Sequence, residues 1–473
     1  MFKNYINENK KNIINSVCDL ITYPSISVES ESSKFPFGKA CSDALRYFLE
    51  LASSLGFETK NVDGYCGYAE FGEGSEIIGI IGHLDVVPAK EEDWDFSPFV
   101  PTIANNCIYG RGAIDDKGPV IASLYAMKAV YNYCKENTIQ INKRVRLIVG
   151  LNEEKDWKCI EYYKKHEEIP TIGFSPDADF PCIYAEKGVL SILISEKILG
   201  NLPIQILDID CNNNPINVVP EFCSVTLKIA NAISIEEFIK TLKNEIDNNK
   251  YEIDIYKIDN SEIKLTSYGV SSHSAHPDLG VNAISRLIVL LDTTLKAFNI
   301  NAPLLSTFCS YIGNDYLGTN MRINISDESG NLTLNTSQFF IQNNKLNIGI
   351  NLRIPVNTPL QDIFDAFKNK FSNFEVKVLA SKDCLHIDKK DKLVTTLCGI
   401  FNETCNTNYE SIAIGGATYA RAFENFISFG MNFPGDKDMC HQVDEFVEIN
   451  KLLLATNIYA KAIYKLLIEK GDW

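Results

Sequence analysis

Two short runs with almost no polar residues constrain the fold more than any other feature of the chain. The first, IIGII, covers residues 77–81, and the second, VRLIV, covers residues 145–149. A half-exposed strand alternates polar and apolar residues, whereas a strand that is buried on both faces is apolar nearly throughout. Both runs therefore predict inner strands of a sheet that is covered by helices on its two faces.

Helical patterns alternate with these runs. In residues 41–55 the apolar positions recur on one helix face, and residues 117–131 show a second such face, with Pro119 in the first turn. Residues 171–174 predict another short strand, which precedes Ser175. The alternation predicts an α/β fold with a mostly parallel sheet.

The pattern changes between residues 187 and 382, where short strand-like runs mix with helices. We expect this part to be an inserted α+β domain. Residues 1–186 and 383–473 would then form the first and second parts of one catalytic domain. Residues 446–468 predict a long amphipathic helix that ends near Gly471.

Composition limits the classes of partner. The 473 residues carry a net charge of −16, which argues against a nucleic-acid-binding protein. No stretch reaches the roughly 18 apolar residues of a membrane helix, and the N-terminus lacks the apolar core of a signal peptide. We therefore expect a cytoplasmic protein that has neither a nucleic-acid nor a membrane partner.

Residues whose side chains can bind metal ions follow the predicted strands in four places. Three of the segments have an ordinary alternative: helix capping for the paired aspartates, a turn for the aspartate that follows a proline, and a solvated charge run for the paired glutamates. The carboxyl ends of parallel strands meet at one edge of a sheet, where ligands bind, and carboxylates with imidazoles suit zinc, manganese or cobalt. The segments are GHLD with His83 and Asp85, GRGAIDDKGP with Asp115 and Asp116, NEEKDW with Glu153 and Glu154, and SPDADF with Asp177.

Six blocks in this order resemble the M20 family of metallopeptidases, and within it the PepV-type bacterial dipeptidases. The blocks are GHLDVVP, IYGRGAIDDKGP, NEEKDW, SPDADFP, SSHSAHPDLGVNAI and MNFPGDKDMCHQVDEF. The resemblance covers nearly the whole chain. It implies a zinc-peptidase-like catalytic domain with two divalent ions and a large inserted lid domain.

The resemblance also implies a role for each matching residue. Zinc is the favoured metal, with manganese and cobalt as alternatives. His83 and Asp177 would bind one ion, Glu154 and His441 would bind the other, and Asp115 would bridge them. Asp85 would orient His83, and Glu153 would be the general base.

Further matches lie in the second domain and near the C-terminal part. His273 would donate a hydrogen bond to the oxyanion, with His276 as a competing candidate. Arg353 would bind a substrate carboxylate, although a salt bridge at a strand end is an alternative. The other substrate-binding candidates are Asn217, Gly415, Gly416, Thr418 and Arg421. His166 and His386 match no block, and we expect surface or structural roles for them.

The expected activity is hydrolysis of short, unblocked dipeptides, with β-alanyl dipeptides among the candidate substrates. An N-acyl-amino-acid deacylase and a catalytically silent binding protein are the alternatives. Catalytic groups on two domains would require domain closure. The inserted domain resembles one that replaces a partner subunit, so we expect a monomer. In one place the chain departs from the family: Asn152 stands where an acid commonly precedes the two glutamates.

Overall fold

The computed structural model describes residues 1–30, 34–198, 200 and 202–469. The chain forms two compact units. Unit 1 comprises Met1–Tyr184, Ile387–Ile412 and Thr418–Trp473, and unit 2 comprises Ala185–His386 with Ala413–Ala417. Gly471, near which we expected the last helix to end, lies outside the described residues.

The α-helices are numbered in chain order. They are α1 Lys3–Glu8, α2 Lys10–Ile21, α3 Lys39–Ser54, α4 Lys117–Glu136, α5 Lys158–His166, α6 Ile235–Asn249, α7 Ala283–Ala297, α8 Pro303–Tyr311, α9 Leu360–Lys370, α10 Lys392–Cys405 and α11 Ile449–Ile468.

The strands are numbered in the same way. They are β1 Glu58–Val62, β2 Cys66–Gly72, β3 Ile77–His83, β4 Thr102–Ala104, β5 Cys107–Tyr109, β6 Arg144–Gly150, β7 Ile172–Ser175, β8 Ala178–Asp179, β9 Ile183–Glu186, β10 Gly188–Lys197, β11 Ile204–Asp210, β12 Val218–Val219, β13 Phe222–Ile229, β14 Ile253–Lys257, β15 Glu262–Tyr268, β16 Ser272–His273, β17 Ser326–Asp327, β18 Gly330–Asn331, β19 Thr333–Gln342, β20 Lys345–Ile354, β21 Glu375–Lys382, β22 Leu385–His386, β23 Ile412–Ile414, β24 Phe426–Ser428, β25 Met431–Asn432 and β26 Phe446–Glu448.

Unit 1 is built on a mixed sheet in which β1, β2, β6, β3, β7 and β24 lie side by side in that order. The inner strands β6, β3, β7 and β24 are parallel to one another. At one edge β1 and β2 are antiparallel. The apolar runs at residues 77–81 and 145–149 lie in β3 and β6, the buried inner strands predicted from the sequence. The α/β class is confirmed, with antiparallel strands added at the edge.

Helices α4 and α11 pack against each other and against β3 and β6. Both have apolar residues over much of their surface, and these are buried. The sequence predicted a helix from residue 446, but residues 446–448 form β26, which pairs with β5. Ile449 is therefore the first residue of the helix. No helix in the described part of the chain combines the length and the apolar character that crossing a bilayer requires.

Unit 2 contains two antiparallel four-stranded sheets. One has the order β19, β20, β10, β21, and the other has the order β11, β13, β15, β14. Helix α7 contacts β13, β15 and β19, and one continuous cluster of buried apolar side chains forms the core of the unit. Antiparallel strands together with packed helices give this unit α+β character.

Candidate metal centre

His83 is the last residue of β3 and is completely buried. Its Nε2 lies 3.0 Å from Oδ1 of Asp115 and 3.5 Å from Oδ2 of Asp177. Its Nδ1 lies 2.9 Å from the main-chain carbonyl oxygen of Asp85. The nearest carboxylate oxygen of Asp85 is 3.6 Å from Nδ1, so the main chain of Asp85, more than its side chain, orients the ring.

The carboxylate of Asp85 has a different set of partners. Its Oδ1 accepts the main-chain N–H of Glu153, and its Oδ2 accepts that of Glu154, both at 3.1 Å. Asp85 is itself completely buried. One buried carboxylate therefore fixes the main chain of the glutamate pair, which explains how two adjacent glutamates are held in a defined orientation.

The glutamate pair lies in a turn that begins where β6 ends at Gly150. Because the chain turns, the two side chains point to different neighbours. Both carboxylate oxygens of Glu154 lie 3.1 Å from Nε2 of His441. Glu153 instead offers a carboxylate oxygen that lies within 4.8 Å of ligand atoms of His83 and Asp177.

Asp115 stands between the two histidines. Its Oδ1 faces Nε2 of His83 at 3.0 Å, and its Oδ2 faces Nε2 of His441 at 3.1 Å. A carboxylate with one oxygen directed to each side is the arrangement that a bridging ligand requires. The structure thus brings together the residues named as ligands from the sequence: His83, Asp115, Glu154, Asp177 and His441.

Burial and charge shift the proton affinities of this cluster strongly. Burial, helped by the charge of Asp115, raises the pKa of Glu154 to about 7. Burial opposes the charged ring of His441, but its contacts with Asp115 and Glu154 raise the pKa to about 11. Burial likewise opposes a charged His83, whose pKa is nevertheless raised well above the usual value by its carboxylate neighbours. Burial raises the pKa of Glu153 well above its ordinary value.

These side chains fit a divalent cation. Nε2 of His83 is buried among carboxylate oxygens, yet it makes no well-directed hydrogen bond. Ligand atoms of His83, Asp115 and Glu154 all lie within 4.8 Å of one another, and so do those of His83, Glu153 and Asp177. Imidazole nitrogens with hard carboxylate oxygens form the donor set of zinc, manganese and cobalt sites.

In unit 2, His273 pairs with Val218 in the short β12–β16 ladder. Its ring is exposed, and its Nδ1 accepts the main-chain N–H of Ala275 at 3.3 Å. A neutral ring that accepts at Nδ1 carries its proton on Nε2, which is then a hydrogen-bond donor. His276, the competing candidate, is also exposed and lies next to a short 3-10 turn.

Arg353 lies on β20 and is buried. Its guanidinium donates to the main-chain oxygen of Gly415 at 2.9 Å and to Oδ1 of Asn351 at 3.2 Å. A Cβ added to Gly415 would lie 2.6 Å from the Cβ of Ala275, so the residue must be small. Arg353, Gly415 and His273 are three of the candidates named from the sequence. They are linked within unit 2 because Gly415 contacts both Arg353 and Ala275, and Ala275 is two residues from His273.

The remaining candidates occupy varied positions. Asn217 lies next to β12, and its main-chain oxygen accepts the N–H of Ser274. Thr418 is buried, with its hydroxyl 2.6 Å from that of Ser428. Arg421 lies in the 3-10 turn that follows, and Gly416 lies in unit 2.

The two unassigned histidines contact residues outside the cluster of candidate metal ligands. His166 is exposed at the end of α5, where its ring stacks on Tyr162. Nε2 of His386 lies 3.1 Å from a carboxylate oxygen of Glu328. Both contacts are of the surface and structural kinds expected from the sequence.

Asn152, the residue that departs from the family pattern, is completely buried. Its amide nitrogen donates to Oγ of Ser27 at 3.0 Å, and its Oδ1 accepts the main-chain N–H of Lys158 at 3.1 Å. An aspartate at this position would accept from Lys158 equally well. Asn152 adds the donor function, which Ser27 satisfies.

Two residues that contact the centre were not assigned from the sequence. The carboxylate of Glu445 accepts hydrogen bonds from the loop that carries Asp115, and Oδ2 of Asp116 accepts the main-chain N–H of His83 at 3.0 Å. The sequence contained a signal for both. Asp116 adjoins a predicted ligand, and Glu445 lies four residues after His441 in the block HQVDEF.

The comparison with known families agrees with this site. The model of peptidase family M20/M25/M40 matches residues 79–465. The match covers most of the chain and spans every residue of the cluster. The chain therefore belongs to this peptidase family and is a hydrolase that acts on peptide bonds, and its cluster is a candidate site for divalent metal.

Individual proteins match over the full length. The Bacillus subtilis (strain 168) protein named "Putative dipeptidase YtjP" is 36% identical over 462 residues, which are 97% of each chain. A Staphylococcus aureus (strain USA300) protein whose name begins with the same two words is 33% identical and covers 99% of this chain and 100% of its own. The crystal structure of human carnosine dipeptidase 1 has a TM-score of 0.59 at 13% identity and covers 98% of each chain. It shares the fold.

Proposed function

We propose that this chain is a metal-dependent dipeptidase that hydrolyses the peptide bond of short, unblocked dipeptides. The observation that carries the proposal is the position of Asp115, with one carboxylate oxygen toward each of two histidines. The names of the bacterial relatives at 36% and 33% identity support the substrate class. β-Alanyl dipeptides are among the candidate substrates.

Two divalent ions are proposed, with zinc favoured over manganese and cobalt. His83 and Asp177 would hold the first, Glu154 and His441 the second, and Asp115 both. Bound ions of this kind polarise a carbonyl group and lower the pKa of water from about 16 to near 7. The carboxylates of Asp85 and Asp116 accept the main-chain N–H groups of Glu154 and His83, respectively. These hydrogen bonds would hold the two ligands in place.

Glu153 is proposed as the general base. Burial raises its pKa well above the ordinary value of a carboxylic acid, which makes the carboxylate a stronger base than an exposed glutamate. It would take a proton from water and pass it to the leaving amine. Its main chain is held by Asp85, so the side chain starts from a fixed point.

Further residues named from the sequence are proposed to recognise the substrate. His273 would donate from Nε2 to the oxyanion of the tetrahedral intermediate. Arg353 would bind the carboxylate of the substrate, because a guanidinium group matches a carboxylate with two parallel hydrogen bonds. Asn217, Gly415, Gly416, Thr418 and Arg421 are proposed to line the remainder of the substrate site.

An N-acyl-amino-acid deacylase is the second candidate, since the same cluster would serve amide hydrolysis. The inserted unit of about 200 residues, which resembles the dipeptidase lid, favours the dipeptidase. A silent binding protein is the third candidate, and the complete set of ligand-type side chains argues against it. The chain is proposed to act as a monomer.

A substrate panel tests the proposal. The chelator-treated protein is reloaded separately with Zn²⁺, Mn²⁺ or Co²⁺ and assayed on unblocked dipeptides, including β-alanyl ones, and on N-acetyl and N-succinyl amino acids. We expect turnover of the unblocked dipeptides. Turnover of the acyl amino acids alone would favour the deacylase, and a protein that neither binds metal nor hydrolyses any substrate would be a binding protein.

A further inference from the structure

Glu445 has a set of contacts that its position in the sequence does not explain. The residue is completely buried in unit 1. Its Oε2 accepts hydrogen bonds from the Arg111 guanidinium at 2.8 Å and the Gly112 N–H at 3.0 Å. Its Oε1 accepts the main-chain N–H groups of Ile114 at 2.9 Å and Asp115 at 3.1 Å. Each oxygen therefore has two donors.

The same residue connects two parts of the candidate centre. Its main-chain oxygen accepts the N–H of Gly110 at 2.9 Å, so Glu445 contacts the loop 110–115 through main chain and side chain. Arg111, which donates to the Glu445 carboxylate, also contacts the His441 segment. One of its guanidinium nitrogens lies 3.5 Å from the main-chain oxygen of His441. Asp115 and His441, which are 326 residues apart in the chain, are thus tied to a single buried carboxylate.

We infer that Glu445 is a positioning residue for the metal centre, which holds the Asp115 loop and the His441 segment in the relative arrangement that binds a divalent cation. The inference rests on the proposed function, because it requires that Asp115 and His441 are metal ligands. Each carboxylate oxygen of Glu445 already accepts two hydrogen bonds, so Glu445 is not itself assigned as a ligand. It acts through the main chain of Asp115 and through Arg111.

The chemistry of the four donors makes Glu445→Gln a severe change. A glutamine side chain has one oxygen and one NH₂ group, and whichever way the amide turns, NH₂ would face two N–H donors. Partners that orient metal ligands typically contribute about 10- to 100-fold in metal affinity. We therefore expect the dissociation constant of E445Q for Zn²⁺ to rise by about 10- to 100-fold.

Glu70→Gln is the matched control. Glu70 is a buried glutamate of the same unit, on β2, and its carboxylate contacts Arg146 at 2.6 Å and Arg144 at 3.6 Å rather than a metal-type side chain. This substitution also leaves a buried guanidinium group poorly paired. It tests whether a general loss of stability is enough to weaken metal binding.

The experiment measures Zn²⁺ affinity by competition with a chromophoric chelator, together with the visible spectrum of the Co²⁺-loaded protein. For E445Q we expect the weakened affinity and an altered Co²⁺ spectrum, whereas E70Q should keep the spectrum and stay within about threefold of the wild-type affinity. Equal effects in both variants, or wild-type affinity in E445Q, would overturn the positioning role.

A second variant decides the question if E445Q does not fold. Glu445→Asp keeps the charge but withdraws both oxygens by about 1.5 Å, the length of one carbon–carbon bond. We expect E445D to fold with a Zn²⁺ affinity between those of wild type and E445Q, and unchanged affinity would contradict the inference. A wild-type protein that binds no Zn²⁺ would instead contradict the proposed function, and with it this role.

Discussion

Nε2 of His441 lies 3.1 Å from both carboxylate oxygens of Glu154, a residue 287 positions earlier in the chain. No local sequence pattern connects the two residues, and only the folded unit 1 brings them together. Asp115 contacts the same histidine nitrogen. The centre therefore combines early and late segments of the chain, so that metal binding should report on the fold of the whole unit.

Metal binding should release protons, and more of them at low pH. A cation binds unprotonated side chains and so competes with the protons of His441 and Glu154, whose pKa values are raised to about 11 and about 7. His441 would release a proton at both pH 6 and pH 8, whereas Glu154 is largely protonated only at pH 6. Calorimetric titration of the chelator-treated protein in buffers of different ionisation enthalpy measures the number released.

The same shifts predict the pH dependence of stability without added metal. The folded state binds both protons more tightly than the unfolded chain, so stability should fall as pH rises. The contribution of Glu154 is lost between pH 4.5 and about 7, and that of His441 between 6.5 and about 11. The calorimetric titration can also contradict the predicted release of protons on Zn²⁺ binding. It would do so if the measured heats of binding did not depend on the buffer.

Glu153→Gln should abolish most turnover and leave the metal content unchanged. Glutamine keeps the size of the side chain but cannot accept a proton at neutral pH, and general-base catalysis contributes about 10²- to 10⁴-fold. Elemental analysis and kcat on an unblocked dipeptide measure the two quantities. Because a Glu153 oxygen also lies near His83 and Asp177, a loss of one metal equivalent would show that Glu153 is a ligand instead.

Asp85→Asn should lower both kcat and metal affinity. Both oxygens of Asp85 accept a main-chain N–H, so an amide must turn its NH₂ toward one of them, and we expect about a 10- to 100-fold loss. Asp116→Asn is the control, because only Oδ2 accepts an N–H there and Oδ1 has no hydrogen-bond partner within the described structure. An effect of D116N as large as that of D85N would refute the explanation.

His273→Ala should reduce kcat by about 10²- to 10³-fold, the usual effect of removing one oxyanion donor. Metal affinity should not change. The neighbouring exposed histidine provides the comparison, since His276→Ala should stay within a few-fold of wild type. The assignment would be reversed if H276A lost the activity and H273A kept it.

The inner part of the fold could be predicted because its cause is local. The apolar runs of β3 and β6 and the buried faces of α4 appear directly in the sequence. The short strand at residues 446–448 could not be distinguished, because its apolar residues continue the periodic pattern of α11 and its partner β5 lies more than 300 residues earlier. Strand pairing over that distance depends on the tertiary fold.

The ligand-type residues could likewise be named from their motifs, but their supporting contacts could not. No sequence pattern indicates that the carboxylate of Asp85 holds the main chain of Glu153, or that Glu445 accepts four hydrogen bonds from residues 111–115. Apart from the Arg111 guanidinium, the donors are main-chain N–H groups, which every residue other than proline carries, so residue type does not reveal these contacts.

The most direct test of the metal centre is a zinc titration of the chelator-treated protein, with hydrolysis of an unblocked dipeptide followed at each step. Asp115 with one oxygen toward each histidine predicts that two equivalents of Zn²⁺ bind and that full activity requires both. Full hydrolysis in the presence of excess chelator, or a folded protein that binds no Zn²⁺, would contradict the proposed two-metal centre.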